Sequence, residues 1–309
     1  MSVSNALRIA GIGAAAVFGG GLAVVGWATG IERRRFVLRE LDAQVLPPGS
    51  PPLRVLHLAD FHLAPGQRKK QRFVQRLASL EPDLVVMTGD NFGHRDALPH
   101  LAEMLEPFRG IPGVSVFGSN DYFGPVWKSP LTYLMPPKEP PPRLPDLDTD
   151  GLRDLLFNEL DWVDLTDTAA VIEAGGVRIR ALGVDDPHID LDHVRQALRD
   201  YDRLDAHDGD LVLGLVHAPY QRVLDVFAKR VGVDAIFAGH THGGQVCLPG
   251  GQAIVSNCDL PPEHAGGLSH WRDSVLHVSR GLGTSIYAPV RTFCPPEATL
   301  LTLTARNAI

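Results

Sequence analysis

Cysteine is scarce in this chain: Cys247, Cys258 and Cys294 are its only three, and no pair has Cys-x-x-Cys spacing. Neither a disulfide scaffold nor a thiolate zinc site is therefore indicated. Basic charge is also in deficit, with a formal net charge of −7. A protein that grips phosphate backbones by bulk attraction shows the opposite balance, so no nucleic-acid partner is expected. No Gly-Lys-Ser/Thr follows the Gly243-Gly244 pair, which excludes a P-loop there.

Charge is absent altogether from Ile9 to Ile31, where Ala, Gly, Val, Ile, Leu and Phe are joined only by Thr29 and Trp27. At a rise of about 1.5 Å per residue such a run can cross a bilayer. It predicts one transmembrane helix over 9–31 after a short tail at 1–8. A cleaved signal peptide is the rival. The run is long for an apolar signal core, and Ala28-Thr29-Gly30 is a poor small-residue cleavage site, which favours a retained anchor. Arg33, Arg34, Arg35 and Arg39 follow the run while only Arg8 precedes it. The positive-inside bias then turns the body of the chain toward the cytoplasm.

Residues 32–52 read as a linker, basic at first and then Pro-rich, ending in Leu46-Pro47-Pro48-Gly49-Ser50-Pro51-Pro52. Beyond it the pattern is that of a packed α/β domain over 53–309. Apolar runs at 53–59, 84–88 and 114–117 alternate with helix-like stretches at 69–80 and 98–108, the order expected of a parallel sheet covered by helices. A Pro-rich insertion at 125–150 interrupts this order, and its Trp127, Tyr133, Leu134 and Met135 are candidates to touch a lipid. Strands resume at 170–173 and 177–182 across Gly175-Gly176, and again at 211–216, 235–238 and 275–278.

Chemistry-bearing residues sit where these strands end. Asp60 and His62 follow the first strand two residues apart, a spacing that in extended backbone points both side chains the same way. Asp90 follows the second strand in Thr88-Gly89-Asp90-Asn91, His217 ends another, and His240 and His242 lie two apart in Gly239-His240-Thr241-His242-Gly243-Gly244-Gln245. Parallel strands bring their C-terminal ends to one rim, where open α/β sheets bind ligands. Imidazoles with carboxylates suit Mn, Fe or Zn, and a bridging carboxylate permits two divalent ions. Asp185-Asp186 follows another strand, as ligand-orienting acids or as a solvated turn.

These motifs, with Gly281-Leu282-Gly283-Thr284-Ser285 and the stretch through Arg291, Cys294 and Pro295-Pro296-Glu297, make the chain resemble the calcineurin-like metallophosphoesterase superfamily, in its bacterial membrane-associated branch. The resemblance spans about Leu53 to Leu303. It implies a four-layer α-β-β-α sandwich of two mixed sheets, with Asp60, His62 and His242 on one metal, His217 and His240 on a second, and Asp90 bridging them. It also implies hydrolysis of a phosphate ester by water activated between the two ions.

One motif departs from the family. Where Gly-Asn-His-Asp is usual, this chain has Gly118-Ser119-Asn120-Asp121. Without a gap, Ser119 takes the metal-binding Asn position and Asn120 that of the leaving-group histidine; a local shift instead lets Asn120 reach the metal. Asn120, Asp121 and nearby His94 are the candidates for the leaving-group side. The expected substrate is a phosphodiester or pyrophosphate, of a lipid or cell-envelope intermediate by location. A soluble substrate such as a cyclic nucleotide, and a degenerate non-catalytic metal-binding protein, are the alternatives. Oligomeric state is not legible.

Overall fold

The computed structural model describes residues 24–126 and 144–307. Most of the predicted membrane span, at 9–23, and most of the Pro-rich insertion, including Trp127, Tyr133, Leu134 and Met135, lie outside the described residues. Among the described residues no helix is long and apolar enough to cross a membrane.

The chain enters through a short helical stretch ending at Arg34 and forms β1 (Val37–Leu46). The first βα units follow: β2 (Leu53–Leu58), α1 (Arg68–Leu77), β3 (Leu84–Met87), α2 (Leu98–Leu105) and β4 (Gly113–Ser115). After the insertion come α3 (Thr149–Arg153), β5 (Val163–Asp164), the hairpin of β6 (Thr168–Ala174) and β7 (Val177–Gly183), and α4 (Val194–Tyr201). The remainder comprises β8 (Leu211–Val216), α5 (Gln221–Asp225), β9 (Ala235–Ala238), the small ribbon β10 (Cys247–Leu248) and β11 (Gln252–Ala253), then β12 (Gly267–Trp271), β13 (Ser274–Val278) and β14 (Glu297–Ala305).

Two six-stranded sheets result, in the orders β1-β14-β2-β3-β4-β5 and β12-β13-β9-β8-β7-β6. Both are mixed: β2 through β5 run parallel while β14 is antiparallel to β2, and β13, β9, β8 and β7 run parallel between antiparallel β12 and β6. Side-chain alternation then builds three apolar layers. Val55, Val86 and Val114 of the first sheet meet Ile179, Leu213 and Phe237 of the second between the sheets. The outward faces pack Leu56 and Met87 against Val74 and Leu101 of the helices, and on the other side Val216 and Ile236 against Ala197 and Leu224. This is the α-β-β-α order. Near one end of the inter-sheet layer the rings of His57 and His277 meet, Nδ1 to Nδ1 at 2.8 Å, and His57 Nε2 lies 3.0 Å from Thr88 Oγ1. Burial drives both imidazoles toward the neutral form.

The linker expected over 32–52 needs correction. Val37–Leu46 is a ten-residue strand, parallel to β14 from Val37↔Glu297 to Leu46↔Ala305. Its charged residues hid it, because β1 is a sheet edge and leaves Arg39, Glu40, Asp42 and Gln44 exposed while Ala43 and Val45 turn inward. Arg39 Nε also binds Glu297 Oε2 at 3.0 Å across the pair. A linker would tolerate either substitution below equally. Val45→Asp is expected to destabilise the chain by about 2 kcal/mol or more, as an unpaired buried charge does. Gln44→Asp should change the denaturant midpoint little, and equal midpoints for the two variants would return the segment to a linker.

Candidate metal centre

Four strand ends build the site, two from each sheet. Asp60 and His62 follow β2, Asp90 follows β3, His217 follows β8, and His240 and His242 follow β9. The loops are laced together by their backbones: Asp60 N–H donates to Gly89 O at 3.0 Å, His62 N–H to Asp90 O at 3.0 Å, and Gly239 N–H to His217 O at 2.9 Å. His240 N–H reaches both oxygens of Asp60, each at 3.1 Å. The fold thus converges these side chains before any ligand is considered.

The backbone conformation differs from the extended one expected of Asp60 and His62. Asp60, His62, Asp90, His240 and His242 all have positive φ, between 39° and 68°. A residue with a Cβ pays for that region, and such outliers concentrate at functional sites. Left-handed turns, not continued strand, bring the side chains inward. Two glycines make the crowding possible: a Cβ on Gly89 would lie 2.4 Å from Gly118 N, and one on Gly118 would lie 2.5 Å from Asp90 Oδ1.

The donor atoms suit cations. One ligand atom from each of Asp60, His62 and His242 lies within 4.8 Å of the others, and the same holds for Asp60, Asp90 and His217. Asp90 faces both groups, its Oδ2 at 3.5 Å from His62 Nε2 and its Oδ1 at 3.4 Å from His217 Nε2. His62 and His242 set Nε2 against Nε2 at 3.0 Å. His217 Nδ1 donates to Thr88 O at 2.6 Å, which leaves the buried Nε2, without a hydrogen-bond partner, as the nitrogen that an ion could take once it gives up its proton. His240 stands beside these groups, its ring 5.2 Å from that of His217 and its Nε2 within 3.3 Å of Asn257 O and 3.4 Å of Asn257 Nδ2. Oxygen and imidazole donors of this kind fit Mn, Fe or Zn better than Mg or Ca.

Electrostatics agree. Burial pushes the carboxyl of Asp60 up to about 7, even though His217 and Arg291 pull it down. Burial also lowers His62 to about 4 and holds His240 and His242 well below the ordinary histidine value, so all three imidazoles are neutral at physiological pH. His217 is the exception: burial opposes its charge, but Asp90, Asp186 and Asp60 outweigh that and raise it well above the usual value. Asp90 in turn is held well below, because His217, His62 and the Asn120 N–H overcome its burial. Protons on Asp60 and His217 supply positive charge that a metal would replace.

The three leaving-group candidates go to different places. Asn120 is brought to Asp90, its N–H donating to Oδ1 at 2.7 Å and its side-chain amide to Oδ2 at 2.8 Å. Asp121 lies buried behind that loop, accepting from the N–H groups of Asp90, Gly118 and Asn91 at 2.8–2.9 Å. His94 is at the surface, where Nδ1 accepts from Asp96 N–H, lining a cleft of about 160 Å³ with Arg95, Asp146 and Tyr287. Of the acidic pair, Asp185 receives the Tyr122 hydroxyl at 2.7 Å, and Asp186 is fully buried and accepts from His188 N–H. Sequence reasoning passed over His188, whose ring lies 4.4 Å from that of His240, and Asn257, whose carbonyl and amide nitrogen meet His240 Nε2. Neither has a motif; only the fold brings them there.

A four-layer α/β sandwich with clustered imidazoles and carboxylates across its strand ends defines a class, the metal-dependent hydrolases. Residues 53–244 match the calcineurin-like phosphoesterase family, and the chain belongs to it. Relatives include the uncharacterized protein YpbG of Bacillus subtilis, 24% identical over 82% of this chain and 82% of its own length. The uncharacterized metallophosphoesterase YkuE of the same bacterium is 24% identical over 86% of this chain and 84% of its own. A Danio rerio transmembrane protein with metallophosphoesterase domain is 36% identical over 73% of this chain, which spans 48% of that relative. The protein is accordingly a metal-dependent phosphoester hydrolase.

Because Asp60 near pH 7 holds a proton that a cation must displace, Mn²⁺ binding should release protons and weaken as pH falls below about 7. Calorimetric titrations in buffers of different ionisation enthalpy check this. Affinity unchanged between pH 8 and pH 6 would contradict the assignment.

Proposed function

We propose that this chain is a membrane-anchored dimetal phosphoesterase that hydrolyses a phosphodiester or pyrophosphate, of a lipid or cell-envelope intermediate. The observation that carries the dimetal part is the division of Asp90, one oxygen toward His62 and the other toward His217. In this reading Asp60, His62 and His242 hold one ion, His217 and His240 hold the other, and Asp90 spans the two. Two divalent ions supply, when bound, a water acidic enough to attack phosphorus near neutral pH and positive charge for the phosphoryl oxygens.

The chain's own residues do the rest. Thr88 O holds the Nδ1 proton of His217, so that Nε2 would turn a lone pair to the centre once its own proton leaves, and Asn257 O and Nδ2 hold His240 through Nε2. Asp121 holds the Asp90 loop through three N–H groups and is a positioning residue. Asn120 stands at the same carboxylate and is assigned to the phosphoryl group, where its amide donates a hydrogen bond or its oxygen joins the second ion. It cannot supply a proton to the departing oxygen. Membrane anchoring rests on the uncharged run at 9–31, and the Danio rerio relative is described as a transmembrane protein.

Turnover of bis(p-nitrophenyl) phosphate with Mn²⁺ tests the assignment. Asp90→Ala should abolish it together with one or both ions, read by metal analysis. Asn120→Ala is expected to cost about 10²- to 10³-fold in kcat, the usual price of one lost oxyanion donor. Asn120→His should raise hydrolysis of an alkyl phosphodiester more than that of the nitrophenyl ester, because only the poorer leaving group needs a proton. No turnover by the wild type with two ions bound would leave a metal-binding protein without catalysis.

A further inference from the structure

Large apolar side chains that remain exposed are unevenly distributed. Fifteen are exposed among the described residues, and eleven of them fall on three segments: Val24, Val25, Trp27 and Ile31; Val246, Leu248, Ile254 and Val255; and Ile286, Tyr287 and Phe293. Scattered single exposures are ordinary, but a contiguous apolar area on a soluble surface is not.

Hydrogen bonds make these segments neighbours. Arg291 N–H donates to Ala28 O at 3.2 Å and Cys294 N–H to Glu32 Oε1 at 2.8 Å, which docks the entering helical stretch on the strip around Phe293. Cys247 N–H donates to Thr292 O at 2.9 Å, and Gln245 Nε2 to Ala288 O at 3.0 Å, which seats the β10–β11 ribbon on the same strip. The patch therefore begins where the uncharged run at 9–31 delivers the chain. Arg34 and Arg35 are exposed beside it.

The patch also borders the metal centre. Gln245 is three residues beyond His242, and Arg291 Nη2 is 3.3 Å from His242 Nδ1. Ile286 and Tyr287 line the same cleft as His94 and Arg95.

We propose that this face is a bilayer-docking surface, with the β10–β11 ribbon and the 286–293 strip lying in the interface of an anionic membrane beside the anchor, so that the mouth of the metal centre opens at lipid headgroup level. The occupant follows from what surrounds the patch: an apolar run of bilayer length leads into it, and exposed arginines border it where anionic headgroups lie. Apolar side chains of a ribbon dip below the headgroups, and a headgroup phosphoester then approaches the site without leaving the membrane. The inference rests on reading 9–31 as an anchor, and it does not depend on turnover.

The test uses the full chain in vesicles of phosphatidylethanolamine and phosphatidylglycerol. A single environment-sensitive fluorophore is placed by Leu248→Cys, Phe293→Cys or Val171→Cys in a Cys258→Ser background, Cys247 and Cys294 being buried. Val171 is an exposed apolar control on β6, outside the patch. Labels at 248 and 293 should be quenched by brominated acyl chains at least about twofold more than the label at 171, and should be the better shielded from aqueous iodide. Equal quenching at all three positions overturns the docking surface. Self-quenching at 248 and 293 that grows with protein density, without quenching by lipid bromine, overturns it in favour of a second copy of the chain. Flotation separates the two readings: vesicles that carry the chain while the labels stay wet refute docking alone, and a chain that does not float refutes the anchor and docking together.

Discussion

The Asp90 turn is the hinge on which the site depends. Its backbone is held from behind by Asp121, whose two oxygens collect the N–H groups of Asp90, Asn91 and Gly118. Its carboxylate is held from the front by both donors of Asn120 and faces His62 and His217 on either side. A carboxylate that accepts several N–H bonds loses its freedom to turn, which is what the bridging role proposed for Asp90 requires. Loss of Asp121 would release three buried N–H groups at once, and each costs about 1–3 kcal/mol when unsatisfied. The loop would then be free to relax from its left-handed φ.

That left-handed φ recurs at five of the six strand-end residues, His217 being the exception. The reason is geometric. A strand that ends in the usual way sends its next residues along the sheet axis, whereas here the side chains must bend back over the junction of two sheets. Left-handed turns achieve the bend in one residue each. They also concentrate strain where the surrounding hydrogen bonds can hold it, as with His240, whose N–H is tied to Asp60. Gly89 and Gly118 permit it because their loops pass too closely for any Cβ.

The sequence made the site more legible than the frame around it. Strand-end positions for Asp60, Asp90, His217 and His240 follow from apolar runs that are buried on both faces, since such runs can be recognised without knowing their neighbours. The strands 211–216 and 235–238 have the predicted limits. β1 was not legible, because an edge strand with Arg39, Glu40 and Asp42 facing water carries only half of an alternating pattern and stands beside prolines. Its partner β14 lies at the far end of the domain, so the pairing is a purely tertiary fact. His188 and Asn257 were illegible for the same reason. Even the approach of Asp60 to His62 was inferred from extended backbone, and the fold achieves it by turns.

Charge explains why so polar a centre can be built under two sheets. Asp60, Asp90, Asp121 and Asp186 are all buried around it. Burial, reinforced by Asp90, pushes Asp121 up to about 7, and burial raises Asp186 to the same value. The protein's own compensation is meagre: Arg291 is fully buried but spends its donors on the carbonyls of Arg280, Gly281, Gly283 and Cys294. Lys70, pushed down to about 7 by burial and by Arg291, hands its ammonium to Phe61 O. Buried carboxylates left short of cations neutralise themselves by taking up protons. Of the histidines only His217 takes up a proton in return, since burial keeps His62, His240 and His242 neutral. Divalent cations resolve both conditions at once: they restore charge to the carboxylates and require imidazoles to be neutral. The same residues that are costly to bury together therefore become mutually consistent only with positive charge between them.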